Sequence, residues 1–275
     1  MCDDFRQKMV TIEEEFTGKE WLVHGCPDAL LLRFLDSRNG FQALLRMAKW
    51  RMENGLESIE ESWRNDRSAG SLLLDKFWPV TVTGESFEGR LTVYLHLSCI
   101  DVLGLDEVVG RELIIRYNIY LLEALYRKNN QGGASLIVDL GPGQGNKTNL
   151  KINKVHAWMN LVLNLVTEIS LIADANFPYA FGKVYFVRAP QFLTVLWKSV
   201  SRKMTQLSRT QVVLVADTSI LCDAIPVECI PTCLGGNFVI EAVPSMKEED
   251  LIVAAKEAFK LKSEAKKRRI SLRRI

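Results

Sequence analysis

Two kinds of hydrophobic pattern alternate along most of the chain. Four short runs are rich in β-branched and aromatic residues and have the length of β-strands: residues 92–97, 136–140, 183–188 and 211–215. Longer segments at 106–127 and 154–172 repeat apolar residues every three or four positions, which is typical of helices. Strands that alternate with helices predict an α/β fold in which a mixed β-sheet is flanked by helices.

The segment between the last two strands has an unusually apolar helical pattern. Ala189-Pro190 ends the preceding strand, because proline cannot donate to a β-ladder. Apolar side chains then recur at three- and four-residue spacing and form one broad face: Phe192, Val195, Leu196, Trp197 and Val200. The pattern predicts a helix with too few polar positions for an ordinary surface helix. An ordinary core helix is the alternative interpretation.

The chain is predicted to begin with a small all-α bundle, assigned to residues 1–76. Asp28 can cap a helix in which Leu31 and Leu35 share an apolar face, and a second helix restarts near Gly40. An α/β domain is predicted at 77–243. Residues 244–275 are predicted to form a last helix and a basic tail.

The net charge of +2 is unevenly distributed, because residues 256–275 contain nine Lys or Arg and two Glu. Such a tail is typical either of a solvated helix end or of a contact with anionic membrane surfaces. A phosphate on Ser271, which follows two arginines, would weaken a membrane contact. We expect no nucleic-acid binding, because Phe259 is the one aromatic residue among these charges. The expected membrane-contact residues are Lys266, Lys267, Arg268 and Arg269.

The composition argues against several classes of protein. No run of eighteen apolar residues is present, so we expect no membrane-spanning helix, and the N-terminus lacks the apolar stretch of a secretory signal. The six cysteines include no C-x-x-C pair and the three histidines lie far apart, which favours reduced thiols over a metal site. The sequence therefore predicts a cytoplasmic protein without a metal or a cofactor.

No nucleophile and base occur at a recognisable catalytic spacing, so we do not expect an enzyme. One alternative is a methyltransferase, since residues 137–145 (IVDLGPGQG) are similar to the first glycine loop of S-adenosylmethionine-dependent methyltransferases. Such a loop expects a ribose-binding acid about 20 residues later, whereas Glu168 follows Asp139 by 29 positions. Under the other interpretation the glycines only turn the chain after a strand.

A set of motifs, all in the correct order, resembles the CRAL-TRIO family of lipid-binding proteins. The motifs around the apolar helix are Phe177-Pro178, Gly182-Lys183, Val184-Tyr185-Phe186, Ala189-Pro190 and Trp197-Lys198. Further matches are residues 31–41 with Trp50-Arg51, the strand at 136–140, and Pro231 with Leu234-Gly235-Gly236. Together the matches span residues 21–238.

The resemblance implies a lipid-binding domain in which a mobile gate helix, residues 191–200, covers a hydrophobic pocket. The gate would face the ligand when closed and meet the bilayer when open. The implied partners are a hydrophobic small molecule or phospholipid and, transiently, an anionic membrane, for a monomer that associates peripherally with membranes. The expected pocket and gate residues are Tyr117, Leu136, Val138, Tyr179, Tyr185, Val187, Phe192, Val195, Leu196, Val200 and Val213, with possible headgroup contacts at Arg38, Ser208 and Gln211.

The headgroup positions favour a ligand other than phosphatidylinositol. Members of the family that transfer phosphatidylinositol carry a Glu and a Lys where this chain has Tyr179 and Gln211. The Ser and Thr that contact phosphatidylcholine correspond to Ala134 and Leu136. A neutral or weakly polar lipophilic molecule is therefore favoured. The alternative is a scaffold that keeps the fold, has lost the ligand and binds other proteins.

Overall fold

A computed structural model describes residues 40–66, 68–78, 80–97, 100–128, 133–141, 152–177, 180–189, 197, 201–203 and 211–240. The described helices are α1 (Gly40–Glu53), α2 (Ile59–Asn65), α3 (Ala69–Phe77), α4 (Val102–Val109), α5 (Arg111–Lys128) and α6 (Ile152–Asn176). The strands are β1 (Val80–Glu85), β2 (Leu91–His96), β3 (Ala134–Asp139), β4 (Phe181–Val187) and β5 (Val212–Val215). Short 3₁₀ helices lie at Leu56–Ser58, Ser201–Lys203, Thr218–Asp223, Val227–Cys229 and Thr232–Leu234.

The five strands form one mixed sheet in the order β1-β2-β3-β4-β5. β1 pairs with β2 in the antiparallel sense, and the remaining neighbours are parallel. Parallel crossovers are almost always right-handed, so strands that are added successively in one direction keep their connecting helices on the same face. The mixed sheet with flanking helices predicted from the sequence is confirmed.

The two faces of the sheet are covered differently. On one face, α3 to α6 pack on alternate strand residues such as Val138 and Phe186. On the other face, the intervening residues, including Ile137 and Tyr185, contact the 3₁₀ segment of residues 216–240 through Leu221, Ile225 and Ile230. The two apolar layers alternate along each strand, as the period of two requires.

The predicted helix over residues 106–127 is corrected to two helices. Gly110 separates α4 from α5 with a φ of 83°, a left-handed conformation that glycine adopts without a Cβ penalty. The apolar spacing continues across this break, so the pattern alone suggested one helix. The last predicted helix, from Ser245, lies outside the described residues, as do residues 1–39.

Candidate functional site

A cavity of about 610 Å³ lies between the sheet and helices α5 and α6. Its floor consists of strand residues that point to the helical face: Val80, Val93, Leu95, Leu136, Val138, Val184, Phe186 and Val212. Helices α5 and α6 supply the opposite wall with Leu121, Leu122, Leu125, Val162, Leu165, Val166, Ile169 and Ala173. Because these α6 residues recur at three- and four-residue spacing, one continuous stripe of the helix faces the cavity.

The register of the sheet explains why these strand residues meet. Leu136 on β3 pairs with Val184 on β4, which pairs with Val212 on β5. Residues that are paired across neighbouring strands point to the same face. All three therefore line the cavity side by side.

Four polar side chains interrupt the otherwise apolar lining: Asn118, Ser170, Asp174 and Gln211. Asp174 is the one charged residue among the lining residues that the structure describes. The Asn118 Nδ2 donates a hydrogen bond of 2.8 Å to the Ile114 carbonyl on its own helix. The described lining is therefore polar at these four side chains and apolar elsewhere.

Three of the predicted site residues line the cavity, namely Leu136, Val138 and Gln211. Trp197, which was predicted only as part of the apolar helix, also lines it, and its ring lies 6.5 Å from that of Phe186. The sequence analysis also did not predict that one face of α6 lines the cavity. Its leucine- and valine-rich pattern was visible in the sequence but does not distinguish a cavity wall from a packed core.

Three predicted pocket residues lie on the other face of the sheet. Tyr185, Val187 and Val213 pack with Leu221 and Ile225. This corrects their predicted place in the pocket: the neighbouring strand residues, of opposite orientation, line the cavity instead.

Tyr117 is buried beside the cavity but is not a lining residue. Its ring lies 4.9 Å from that of Trp63, and its hydroxyl donates to the Trp78 carbonyl at 3.4 Å. Burial, with a smaller effect of Asp75, raises the pKa of this hydroxyl well above its usual value. The predicted pocket role of Tyr117 is therefore replaced by packing between α2, α3 and α5.

The remaining predicted site residues lie outside the described residues and stay predictions. They are Arg38, Tyr179, Phe192, Val195, Leu196, Val200, Ser208, Lys266, Lys267, Arg268 and Arg269, together with the proposed phosphorylation site Ser271.

Asp139 belongs to residues 137–145, which are similar to the glycine loop of methyltransferases. Its side chain is fully buried on the sheet face opposite the cavity. It accepts hydrogen bonds from the Tyr94 hydroxyl at 2.8 Å, the Arg188 Nε at 2.9 Å and the Gly141 backbone N–H at 2.9 Å. Glu168, the next acid in the sequence, pairs with Arg111 at 2.7 Å. These contacts give both acids structural partners.

The order of the strands also argues against a nucleotide site after β3. Dinucleotide-type ligands bind where the strand order of an open sheet reverses. In this sheet β2 to β5 follow one another without a reversal. The strand order and the contacts of Asp139 thus both favour a simple turn after β3.

Two further features were searched for in the part of the chain that the structure describes. No helix there is long and apolar enough to cross a bilayer. No three His, Cys, Asp or Glu side chains converge there in a way that could hold a metal ion.

Comparisons with known proteins agree with this fold. Protein real-time of Aedes aegypti is 24% identical over 229 residues, which are 76% of this chain and 33% of that protein. SEC14 cytosolic factor of Eremothecium gossypii is 24% identical over 217 residues, 76% of this chain and 69% of that protein. The chain spans about a third of the length of the first curated relatives that it matches.

A solved structure, described as the crystal structure of Sfh5, has a TM-score of 0.59 and 14% sequence identity, and the match covers 94% of this chain and 98% of that one. This likeness supports the fold. The sequence pattern of the CRAL/TRIO domain matches residues 77–236, more than half of the chain. The chain therefore belongs to the CRAL/TRIO domain family, whose members bind lipophilic ligands and transfer them.

Proposed function

We propose that this protein binds one lipophilic molecule between the sheet and helices α5 and α6 and transfers or presents it at membranes. The observation that carries the proposal is the cavity of about 610 Å³ with an almost wholly apolar lining. Burial of each methylene group stabilises a complex by about 0.8 kcal/mol. A long hydrocarbon therefore gains more from this site than any small polar molecule.

The cavity is large enough for one long hydrocarbon chain. A methylene group fills about as much space as a water molecule in the liquid, roughly 30 Å³, so a sixteen-carbon chain needs about 480 Å³.

The charges around the cavity favour a ligand without a phosphate. None of the lining residues that the structure describes is a Lys, Arg or His. Gln211, which lines the cavity, stands where phosphatidylinositol-transferring relatives are expected to carry a Lys. Without a nearby cation, a buried phosphate would lose its hydration without compensation. This supports a ligand other than phosphatidylinositol.

We assign the exchange step to the gate helix. A ligand of this kind is too insoluble to wait in water, so it must enter and leave at a lipid surface. Trp197 lines the cavity with its ring 6.5 Å from that of Phe186, which supports a gate beside the proposed ligand site. The basic tail would provide a second, electrostatic contact with anionic lipids.

The test begins with purification of the protein without added ligand, organic extraction and mass spectrometry, followed by a transfer assay between vesicles. We expect a stoichiometric lipid in the extract and measurable transfer. Val195→Asp should abolish transfer, because a charge on the apolar gate face opposes contact with the bilayer. The matched control is Phe87→Asp, which adds the same charge at a side chain that is 66% exposed.

Unchanged transfer by Val195→Asp would contradict the role of the gate. A protein that carries no lipid and takes none up from vesicles would contradict the proposed function as a whole and favour the protein-binding scaffold.

A further inference from the structure

We propose that Arg188 is a positioning residue for ligand exchange: its ion pair with Asp139 fixes the direction in which the chain leaves β4, and so keeps Trp197 in place at the cavity wall. Arg188 and the two residues that accommodate its guanidinium, Asp139 and Gly141, are called the Arg188 clamp. The inference rests on the proposed function, since it concerns how the ligand of the same cavity enters and leaves.

The backbone of Arg188 has an unfavourable conformation. Arg188 directly follows Val187, the last residue of β4, and has a φ of 52°. It is the one residue other than glycine with a positive φ in the part of the chain that the structure describes. This left-handed conformation is unfavourable for an arginine, because the Cβ comes too close to the following carbonyl oxygen. Such a conformation persists only where the surrounding structure enforces it.

The carboxyl end of β3 holds the Arg188 side chain. The Arg188 Nε donates to the Asp139 Oδ1 at 2.9 Å, and its Nη2 donates to the Oδ2. The Asp139 side chain is fully buried, whereas the Arg188 side chain is 27% exposed. A bidentate bond to a carboxylate fixes both the position and the plane of a guanidinium. The ion pair therefore supplies the contacts that enforce the unfavourable backbone.

Gly141 leaves room for the guanidinium. A Cβ at this position would overlap the Cδ, Nε and Cζ atoms of Arg188. The Gly141 N–H also donates to the Asp139 Oδ1 at 2.9 Å. These contacts give the Asp-Leu-Gly sequence at 139–141 a role that needs no nucleotide: the acid binds the guanidinium, and the glycine leaves space beside it.

Arg188 is the positive charge that compensates the buried Asp139. The His96 Nε2 also lies near, 3.9 Å from the Asp139 Oδ2. Burial lowers the pKa of His96 from its ordinary value of 6.5, so the ring is neutral at neutral pH. The Tyr94 hydroxyl, which donates to the same carboxylate, adds no positive charge. Loss of the arginine therefore leaves the carboxylate without a charged partner among the described residues.

The clamp lies between two cavity-lining residues along the chain. Phe186 precedes Arg188 by two residues, and Trp197 follows it by nine. Both line the cavity, and their rings lie 6.5 Å apart. A change of the Arg188 backbone to a right-handed or extended conformation would turn the chain that follows it in another direction. Loss of the clamp should therefore loosen the wall at Trp197 and let the ligand leave faster.

The experiment uses the full chain, loaded with deuterated hexadecan-1-ol from phosphatidylcholine vesicles. The loaded protein is mixed with an excess of unlabelled vesicles, and the probe that stays bound is followed over time by gel filtration and mass spectrometry. Arg188→Met should release the probe at least fivefold faster than the parent, because it removes the guanidinium. Gly141→Ala should accelerate release as well, since the new methyl group displaces the guanidinium without changing a charge.

Three further variants separate the clamp from a general loss of stability. Arg64→Met removes an arginine of α2 whose side chain is 71% exposed and should leave the release rate unchanged. Ile225→Ala lowers the midpoint of thermal unfolding, because it truncates the apolar layer that also contains Tyr94, but it should release the probe at the parental rate. Arg188→Lys keeps a charge that can reach Asp139 and should release the probe more slowly than Arg188→Met.

The outcomes are distinct. A parental release rate in Arg188→Met or Gly141→Ala, or an equal acceleration in Ile225→Ala, would overturn this inference and leave the proposed function standing. If Arg188→Met does not fold, Gly141→Ala alone decides. A parent protein that takes up no probe from the vesicles would contradict the proposed function itself.

Discussion

Arg51 and Glu123 form an ion pair that is almost completely removed from solvent. Their side chains are 8% and 1% exposed, and the Arg51 Nη2 donates to both carboxylate oxygens at 2.9 and 2.8 Å. The guanidinium also lies 5.3 Å from the ring centres of Tyr126 and Phe177. Arg127 donates to the same carboxylate at 2.7 Å. The pair joins α1 to α5 and, through the Arg51 contacts with Asn176 and Phe177, to the end of α6.

Arg51→Met is expected to lower the free energy of unfolding by about 3 kcal/mol, because it leaves the buried Glu123 carboxylate with Arg127 as its remaining basic partner. The double variant Arg51→Met/Glu123→Leu removes both charges and should recover at least half of that loss. Urea unfolding, followed by circular dichroism, measures both values. A double variant that is less stable than Arg51→Met would show that the pair stabilises through more than charge compensation.

The Tyr94 hydroxyl should make the free energy of unfolding depend on pH in the alkaline range. Burial, followed by the Asp139 charge and the hydrogen bond to it, raises the pKa of the Tyr94 hydroxyl far above its usual value of about 10. The unfolded chain loses this proton near pH 10 and the folded chain keeps it, so the stabilisation is complete below about pH 10 and falls as the pH rises.

Tyr94→Phe should therefore flatten the alkaline limb of the stability curve. Between about pH 10 and 11 the free energy of unfolding of the parent should fall more steeply, by up to about 1.4 kcal/mol per pH unit. Tyr117, Tyr120 and Tyr185, whose pKa values are also raised, keep some slope in both proteins. Urea unfolding at a series of alkaline pH values measures the difference, and identical slopes would show that Tyr94 ionises as readily in the folded protein.

At the scale of elements, helix α6 offers a direct test of the cavity. Val166 lies on its lining stripe beside the cavity, whereas Asn164 is exposed on the same helix. Val166→Trp should reduce lipid uptake from vesicles at least tenfold, because the new ring occupies ligand volume. Its free energy of unfolding should stay within about 1.5 kcal/mol of the parent, since the cavity accepts the extra atoms.

The control for this experiment is Asn164→Trp, which adds the same ring on the solvent side and should leave uptake unchanged. Full uptake by Val166→Trp would place the ligand elsewhere.

The strands could be located from the sequence, but the face to which each residue points could not. Residues 183–188 and 211–215 are nearly continuous apolar runs with no polar alternation to mark a solvent side. Orientation is set instead by the register that pairs Leu136 with Val184 and Val184 with Val212. Leu136 and Val138 therefore line the cavity, whereas Tyr185, Val187 and Val213 point to the opposite face of the sheet.

Other elements escaped the sequence pattern for different physical reasons. The 3₁₀ segment of residues 216–240 has neither a two-residue nor a 3.6-residue period, so its role in covering the second face of the sheet was not visible. Asn118 carries no signal of its own within a helical sequence. Only the folded chain shows that its side chain lines the cavity, where the Nδ2 donates to the Ile114 carbonyl.

At the scale of the whole molecule, the sheet separates two apolar layers that differ in how they are packed. The layer under residues 216–240 is filled by side chains such as Ile225 and Leu221, both fully buried. The layer under α5 and α6 contains the cavity, which is the proposed ligand site. A ligand that binds only the folded state stabilises it by about 2.7 kcal/mol when its free concentration is a hundred times its Kd. A bound lipid should therefore stabilise the protein only through contacts on the helical face of the sheet.

Two alanine substitutions, one on each side of the sheet, test the two apolar layers separately. Leu165→Ala lies in the cavity wall and Ile225→Ala in the opposite layer, and each should lower the free energy of unfolding of lipid-free protein by about 3 kcal/mol. Lipid should then stabilise Ile225→Ala as much as the parent, because the ligand does not touch that layer. It should stabilise Leu165→Ala at least 1 kcal/mol less, since contacts between the ligand and the leucine are lost. Thermal unfolding of the parent and the two variants, each with and without lipid, gives the six values that the comparison needs. A lipid effect in Leu165→Ala that equals that of the parent would mean that the ligand does not contact this wall. A reduced lipid effect in Ile225→Ala would mean that the two faces are coupled through the sheet.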